Sequence, residues 1–168
     1  MPDLPGAALA DSATEYLVFQ LGGQEYAISA QDVDEVRAFE PPVRKIGSAP
    51  FALGVLNVRG ASVTILDLRL RLGLVAHFGS GTTTLLLRLP SGMTGVVVDS
   101  VSGTVRLASH GIRPMAVASD SRGAGLIKGL AMICHNGWQR PLVVMDCYSL
   151  LPAGKPYPSL AGLASWKI

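Results

Sequence analysis

Enzymes need nucleophiles, titratable groups or metal ligands at spacings that let them meet, and this 168-residue sequence offers few such sets. Its cysteines are Cys134, which precedes His135, and Cys147. No C-x-x-C or comparable ligand spacing joins either one to His77 or His110, so a zinc site has no framework. A thiol enzyme would have to combine Cys134, His135 and Cys147, and loss of a turnover on mutating Cys134 would reveal it. Gly79-Ser80-Gly81-Thr82 has the small residues of a phosphate loop but lacks its lysine and its strand-to-helix setting. There is no G-x-S-x-G elbow and no paired-carboxylate constellation. The residues therefore point to binding without catalysis, cofactor or metal.

Composition narrows what is bound. Hydrophobic residues make up 49% of the chain and charged residues 15%, far from a disordered composition and apolar enough for some side chains to face partners. Mean hydropathy is +0.38, yet no apolar run approaches the roughly 18 to 20 residues of a membrane-spanning helix, so no direct membrane insertion is expected. Residues 1–14 hold Asp3 and Asp11 but no Lys or Arg, unlike the basic start of a secretory signal. A cytoplasmic setting that keeps both cysteines as thiols is the expectation. The net charge of +2, from 14 basic and 12 acidic residues with no long basic run, gives little attraction for nucleic acid. A nucleic-acid-binding barrel remains the third reading, and a steep salt dependence of oligonucleotide binding would support it.

Short segments rich in Val, Ile, Leu, Tyr and Thr alternate with Gly, Pro, Asn and Ser clusters, the pattern of an all-β protein of about ten strands. Four hairpins can be placed. Strands at 16–21 and 26–29 flank Gly22-Gly23, and strands at 52–58 and 62–68 flank Arg59-Gly60. Strands at 83–89 and 93–98 surround Pro90-Ser91-Gly92, and strands at 126–134 and 142–146 surround Asn136-Gly137, the strongest short turn signal in the chain. Ser29 followed by Asp32 resembles a capping box, so 30–36 reads as a short helix with Val33 and Val36 on one face. Residues 1–14 and 152–168 read as tails around a folded unit at 15–151. Leu160, Leu163 and Trp166 in the second tail recur at helical spacing, which suits a short docked helix.

A weak internal repeat runs through the folded unit. Residues 54–68 read as strand, tight turn, strand, Asp67 and a Leu-rich helical turn, and 129–146 repeat the scheme around Gly137 and Asp146. Val33-Asp34-Glu35-Val36 aligns with Val98-Asp99-Ser100-Val101. Two pseudo-equivalent barrels of about five strands would account for this, each too small to hold a core alone.

The blocks Glu15-Tyr16-Leu17-Val18-Phe19, Val33-Asp34-Glu35-Val36-Arg37, Gly54-Val55-Leu56-Asn57-Val58-Arg59-Gly60 and Asp67-Leu68-Arg69 resemble those of CheW-type chemotaxis coupling proteins. Gly95-Val96-Val97-Val98-Asp99-Ser100-Val101, Ile112-Arg113-Pro114, Ile127-Lys128-Gly129-Leu130-Ala131 and Val143-Val144-Met145-Asp146 follow in the same order. The resemblance covers 15–151 and implies two SH3-like five-stranded β-barrel subdomains packed on a shared core. It also implies an adaptor without chemistry of its own, held at receptor arrays on the inner face of the membrane. Its implied partners are the regulatory domain of a CheA-type histidine kinase and the cytoplasmic tip of a chemoreceptor, a methyl-accepting protein. The same kind of adaptor could serve another kinase pathway, such as twitching motility. Thr64 departs from a usual Pro, Val58 from a usual Leu, Thr84 from an aliphatic residue, and Ser102-Gly103-Thr104 from a more acidic and aliphatic stretch.

Candidate contact residues follow from the resemblance. Val33, Gly54, Thr84 and Val101 match an apolar groove for the receptor helix, with Gly54 permitting close approach. Val36 belongs either to the same groove or, with Val33, to the core. Arg59 is either a solvated turn residue or an interface anchor that reaches Glu35 or a partner carboxylate. Asn57 and Gly60 are turn formers beside it. Asp67 and Asp146 suit caps at strand-to-helix junctions.

Overall fold

The computed structural model describes residues 13–45, 50–116 and 125–150. In chain order these form β1 (Ala13–Leu21), β2 (Gln24–Ser29), β3 (Val33–Ala38), β4 (Ala52–Val58), β5 (Ala61–Asp67) and a one-turn α1 (Leu68–Arg71). Then come β6 (Thr83–Leu89), β7 (Gly92–Val98), β8 (Ser100–Ala108), β9 (Arg113–Pro114), β10 (Ile127–His135) and β11 (Trp138–Met145). All four expected hairpins are present. β8 belongs to none of them, and its Ser102-Gly103-Thr104 centre has turn composition although it pairs with β1.

The strands form a six-stranded sheet in the order β8-β1-β2-β11-β10-β9 and a five-stranded sheet in the order β3-β6-β7-β5-β4. The two orders correspond strand for strand: β8 to β3, β1 to β6, β2 to β7, β11 to β5 and β10 to β4. Each sheet is antiparallel except for one parallel pair, β11 with β2 and β5 with β7. Even the two-residue β9 has a counterpart, the isolated bridge from Val43 to Val55 beside β4. The second barrel therefore takes its β1 and β2 from the start of the described chain and its other strands from the end. The repeat inferred from 54–68 and 129–146 is real, but its second copy is split.

Two local expectations change. Ala30–Asp32 is a single 3-10 turn whose Ser29 makes no side-chain cap bond, and Val33–Ala38 is a strand paired with β6, not the continuation of a helix. Edge pairing of the β-branched Val33 and Val36 overrides the local capping signal. The repeat also shifts. A bulge in β3 sets Val33 opposite Leu87, and a matching irregularity sets Val101 opposite Phe19, so Val33 corresponds to Val101 and not to Val98. The tails at 1–14 and 152–168, with Leu160, Leu163 and Trp166, lie outside the described residues except for Ala13 and Thr14, which pair with Ala108 and Leu107.

Alternation along the strands explains the core. Leu17, Phe19 and Leu21 of β1, Leu85, Leu87 and Leu89 of β6, and Val96 and Val98 of β7 meet in one cluster shared by both sheets. The intervening Tyr16 and Val18 fill one barrel, and Leu86 and Val97 fill the other. Strands covered on both faces read as nearly continuous apolar runs, which is what Leu85-Leu86-Leu87 and Val96-Val97-Val98 are. Full burial of one such side chain contributes about 1.5–3 kcal/mol, so the shared cluster ties each barrel to the other.

Polar groups reinforce that union. Arg69 is fully buried and donates from Nε and Nη2 to Asp67 at 2.9 Å, from Nη1 to Asp99 at 2.9 Å, and to the carbonyl of His77. Its guanidinium also lies 4.7 Å from the centre of the Phe78 ring. Burial disfavours the charge, but the bonds that Arg69 donates to Asp67 and Asp99 outweigh it and raise the Arg69 pKa above its ordinary value. Asp99 Oδ2 accepts from the Gly22 N–H at 2.8 Å, so this network reaches the β1–β2 turn of the other barrel. Asp67 and Asp146 act as the expected caps, each accepting at 3.0 Å from the N–H two residues on, Arg69 and Tyr148.

Candidate partner-binding site

Arg59 and Gly60 form the two-residue turn between β4 and β5, with φ of 50° and 85°. Positive φ at both positions is the type I′ geometry that matches strand twist, and it aims the Arg59 side chain back over the barrel edge. The Gly60 N–H donates to Asn57 Oδ1 at 3.1 Å, so both residues shape the turn. From there Arg59 Nη1 donates to Glu35 Oε1 and Nη2 to Asp34 Oδ2, each at 2.9 Å. Both carboxylates, Asp34 most strongly, raise the guanidinium pKa, so Arg59 stays charged. The Arg59 side chain is 61% exposed, so water and salt screen the pairing and it adds little to stability.

Glu35 is the partner within the chain that the sequence suggests for Arg59, beside a partner carboxylate or solvent. The structure adds Asp34 and Arg88: Arg88 Nη1 donates to Asp34 Oδ1 at 2.7 Å. Asp34 stands between Val33 and Glu35, and nothing local tells it from a solvated acid. Arg88 lies 54 positions away, and only the β3–β6 pairing brings it close.

The groove candidates separate. Val33 and Val101 are half-buried, on β3 and β8, and both pack against the cluster shared by the barrels. Val36, 45% exposed, sits opposite Leu85 on the same face as Val33, because the β3 bulge adds one residue between them. Thr84 is different: it is buried inside the barrel, near Gly95, and presents no surface. Gly54 serves the fold. It adopts φ +149°, and a β-carbon there would fall 2.1 Å from the Val43 carbonyl oxygen, so the backbone it admits is the chain's own.

Cys134 and His135 line one pocket with Glu25 and Arg140, but Cys147 does not join them. Cys134 is exposed near the tip of the β10–β11 ribbon and Cys147 is buried beyond its opposite end, roughly 20 Å away at strand rise. The Cys147 thiol donates to Asp32 Oδ2 at 3.2 Å, and burial followed by that carboxylate pushes its pKa well up, away from the reactive thiolate. His77 gives its carbonyl to Arg69, and the Gly79 N–H is taken by Thr82 Oγ1 at 2.8 Å. Among the described residues no group of three or more His, Cys, Asp or Glu could hold a metal ion, and no helix is long and apolar enough to cross a membrane.

Two pseudo-equivalent barrels on a shared core, with half-buried valines on their edge strands and an ion cluster on one barrel, define a two-barrel β module. A family model described as the CheW-like domain matches residues 15–154. The chain is 30% identical over 138 residues to the chemotaxis protein CheW of Klebsiella aerogenes, covering 82% of this chain and 81% of that one. It is 31% identical over 133 residues to CheW of Rhizobium meliloti, covering 75% and 85%. The crystal structure of the scaffolding protein TtCheW from Thermoanaerobacter tengcongensis superposes with a TM-score of 0.73 at 18% identity, over 84% of this chain and 94% of that one. The chain belongs to the CheW-like domain family, and its two barrels are the SH3-like pair expected from the sequence.

Proposed function

We propose that the chain is a non-catalytic chemotaxis coupling adaptor that joins the regulatory domain of a CheA-type histidine kinase to the cytoplasmic tip of a chemoreceptor, in the cytoplasm at receptor arrays. The observation that carries this reading is the matched placement of Val33 and Val101. They stand on the edge strand of each sheet, half-buried, over Leu87 and Phe19 of the common cluster. A helix laid across both valines would lie on apolar surface backed by the common cluster. Membership of the CheW-like domain family, whose solved relative TtCheW is a scaffolding protein, supports an adaptor role.

The test is calorimetry with the purified chain, the kinase regulatory domain and a receptor-tip fragment. Binding to each, and a ternary complex of all three, is the expected result. Val33→Lys and Val101→Lys should each weaken receptor binding about tenfold or more, since a charge must lose water in an apolar groove, while the fold survives. If the wild-type chain binds neither partner, the adaptor reading fails. If either lysine variant unfolds, that valine is part of the core and not of the groove.

A further inference from the structure

The chain passes from one barrel to the other twice, and each crossing carries an aspartate. It leaves β2 for β3 through the 3-10 turn Ala30–Asp32, so Asp32 directly precedes Val33. It leaves β7 for β8 through Asp99, two residues before Val101. Counterparts in the repeat hold the two aspartates. Asp67 and Asp146 accept from the N–H groups of Arg69 and Tyr148, which makes Arg69 and Tyr148 equivalent, and each of these side chains reaches a crossing. Arg69 Nη1 donates to Asp99 Oδ1 at 2.9 Å, and the Tyr148 hydroxyl donates to Asp32 Oδ1 at 3.1 Å. The Cys147 thiol donates to the other Asp32 oxygen at 3.2 Å. Asp32 thus ties the entry to β3 in one barrel to the chain beyond β11 of the other.

The two ties are unequal. Arg69 is fully buried between charged partners, whereas Tyr148 is 57% exposed and offers one neutral hydroxyl. Parting a buried ion pair strands a charge, but an exposed hydroxyl and its carboxylate can each turn to water. Val33 leans on the weaker tie. It pairs with Leu87 ahead of the β3 bulge, while Glu35 to Ala38 pair beyond it, so the bulge parts Val33 from the regular ladder. Its N–H bonds back to the Ala30 carbonyl, within the turn that Asp32 ends.

We propose that Asp32 and Tyr148 form a latch that positions Val33 for the receptor helix. This rests on the adaptor reading above, in which Val33 lines the receptor groove. Arg69 and Asp99 give Val101 the fixed counterpart, and the Tyr148 latch is the one that opens in the folded protein. Asp32 holds the Tyr148 hydroxyl pKa above its ordinary value, first through the hydrogen bond and then through its charge, with burial, Cys147 and Asp146 adding less. That shift is a signature of the closed latch.

The experiment uses the full chain with carbon-13 at the tyrosine ζ position, whose NMR shift follows ionisation, and Tyr148→Phe identifies the Tyr148 signal. Asp32→Asn should lower the Tyr148 midpoint. A saturating receptor-tip fragment should raise that midpoint in the wild type, because a closed latch and a bound receptor favour each other, and should not raise it in Asp32→Asn. A purely structural role would leave the midpoint unmoved by the fragment. By calorimetry, receptor affinity should fall about fivefold in Tyr148→Phe and in Asp32→Asn, the worth of one hydrogen bond. The double variant should be no weaker than Asp32→Asn alone, since both changes break the same contact.

Additive losses in the double variant, or a midpoint rise that persists in Asp32→Asn, would mean that Tyr148 touches the receptor itself and overturn the proposal. Should Asp32→Asn fail to fold, Tyr148→Phe and the wild-type midpoint decide: an affinity within about twofold of wild type, or a midpoint that ignores the fragment, overturns it. Either result leaves the adaptor reading standing. A wild-type chain that binds no receptor fragment removes both.

Discussion

Replacing Gly54 with alanine distinguishes a glycine that admits a partner from one that admits the chain's own backbone. The added methyl carbon would lie 2.1 Å from the Val43 carbonyl oxygen and 2.6 Å from its carbonyl carbon. That oxygen is held in place, because it accepts from the Val55 N–H at 2.8 Å while the Val43 N–H donates to the Val55 carbonyl at 2.9 Å. Parting the bridge forfeits two hydrogen bonds, about 1 kcal/mol each. A φ of +149° adds about 1–3 kcal/mol for any residue with a β-carbon. Gly54→Ala should therefore lower the unfolding free energy by about 3–5 kcal/mol, a large part of the whole for a domain of this size. Urea unfolding followed by circular dichroism measures it. The pseudo-repeat supplies a control at Gly129, where a β-carbon would fall 2.3 Å from the Arg113 carbonyl oxygen and no positive φ is involved. Gly129→Ala should thus cost less than Gly54→Ala, about 2 kcal/mol if the β9 contact opens. A Gly54→Ala protein with wild-type stability and impaired receptor binding would refute this reasoning and return Gly54 to the contact surface.

Arg69→Met removes the partner of two carboxylates in a buried network and should cost about 3–5 kcal/mol, seen as a fall in melting temperature of roughly 6–20 °C; a change below about 2 °C would mean that water reaches Asp67 and Asp99 readily. Arg59→Ala should hardly alter thermal unfolding yet weaken partner binding about thirtyfold or more, and the Glu35→Arg/Arg59→Glu swap should not restore binding, because Asp34 and Arg88 keep their charges. Cys134 should be alkylated in the folded protein and Cys147 only on unfolding, which mass spectrometry after iodoacetamide treatment resolves. Since the folded Cys147 pKa lies above its ordinary value of 9.0, its contribution to stability is complete below that value and declines as pH rises beyond it; Cys147→Ser should remove this alkaline decline, and an unchanged decline would place its cause elsewhere.

Much of the fold was legible because its signals are local. Paired turn residues at Gly22-Gly23, Arg59-Gly60 and Asn136-Gly137 set three hairpins, and a two-residue loop with positive φ fixes register without reference to the rest of the chain. The Gly54 to Gly60 block and its neighbours carried the family. The hairpins depend on residues within a few positions of one another, so local spacing determined them, whereas the family rested on a resemblance of blocks spread along the chain.

Tertiary structure decided what depends on pairing across the chain. The 3-10 turn and strand at 30–38 replaced a helix because β6 supplied a partner that the local sequence does not contain. Thr84 looked like a groove residue, but strand alternation turns it inward, and Gly54 faces Val43 because the bridge beside β4 closes over it. Asp34 became the centre of the ion cluster only when a bulge re-aimed it and β6 carried Arg88 within 2.7 Å. Side-chain direction in a strand reverses with a shift of one residue, so which face a residue occupies is settled by register and bulges, and these belong to the assembled sheet.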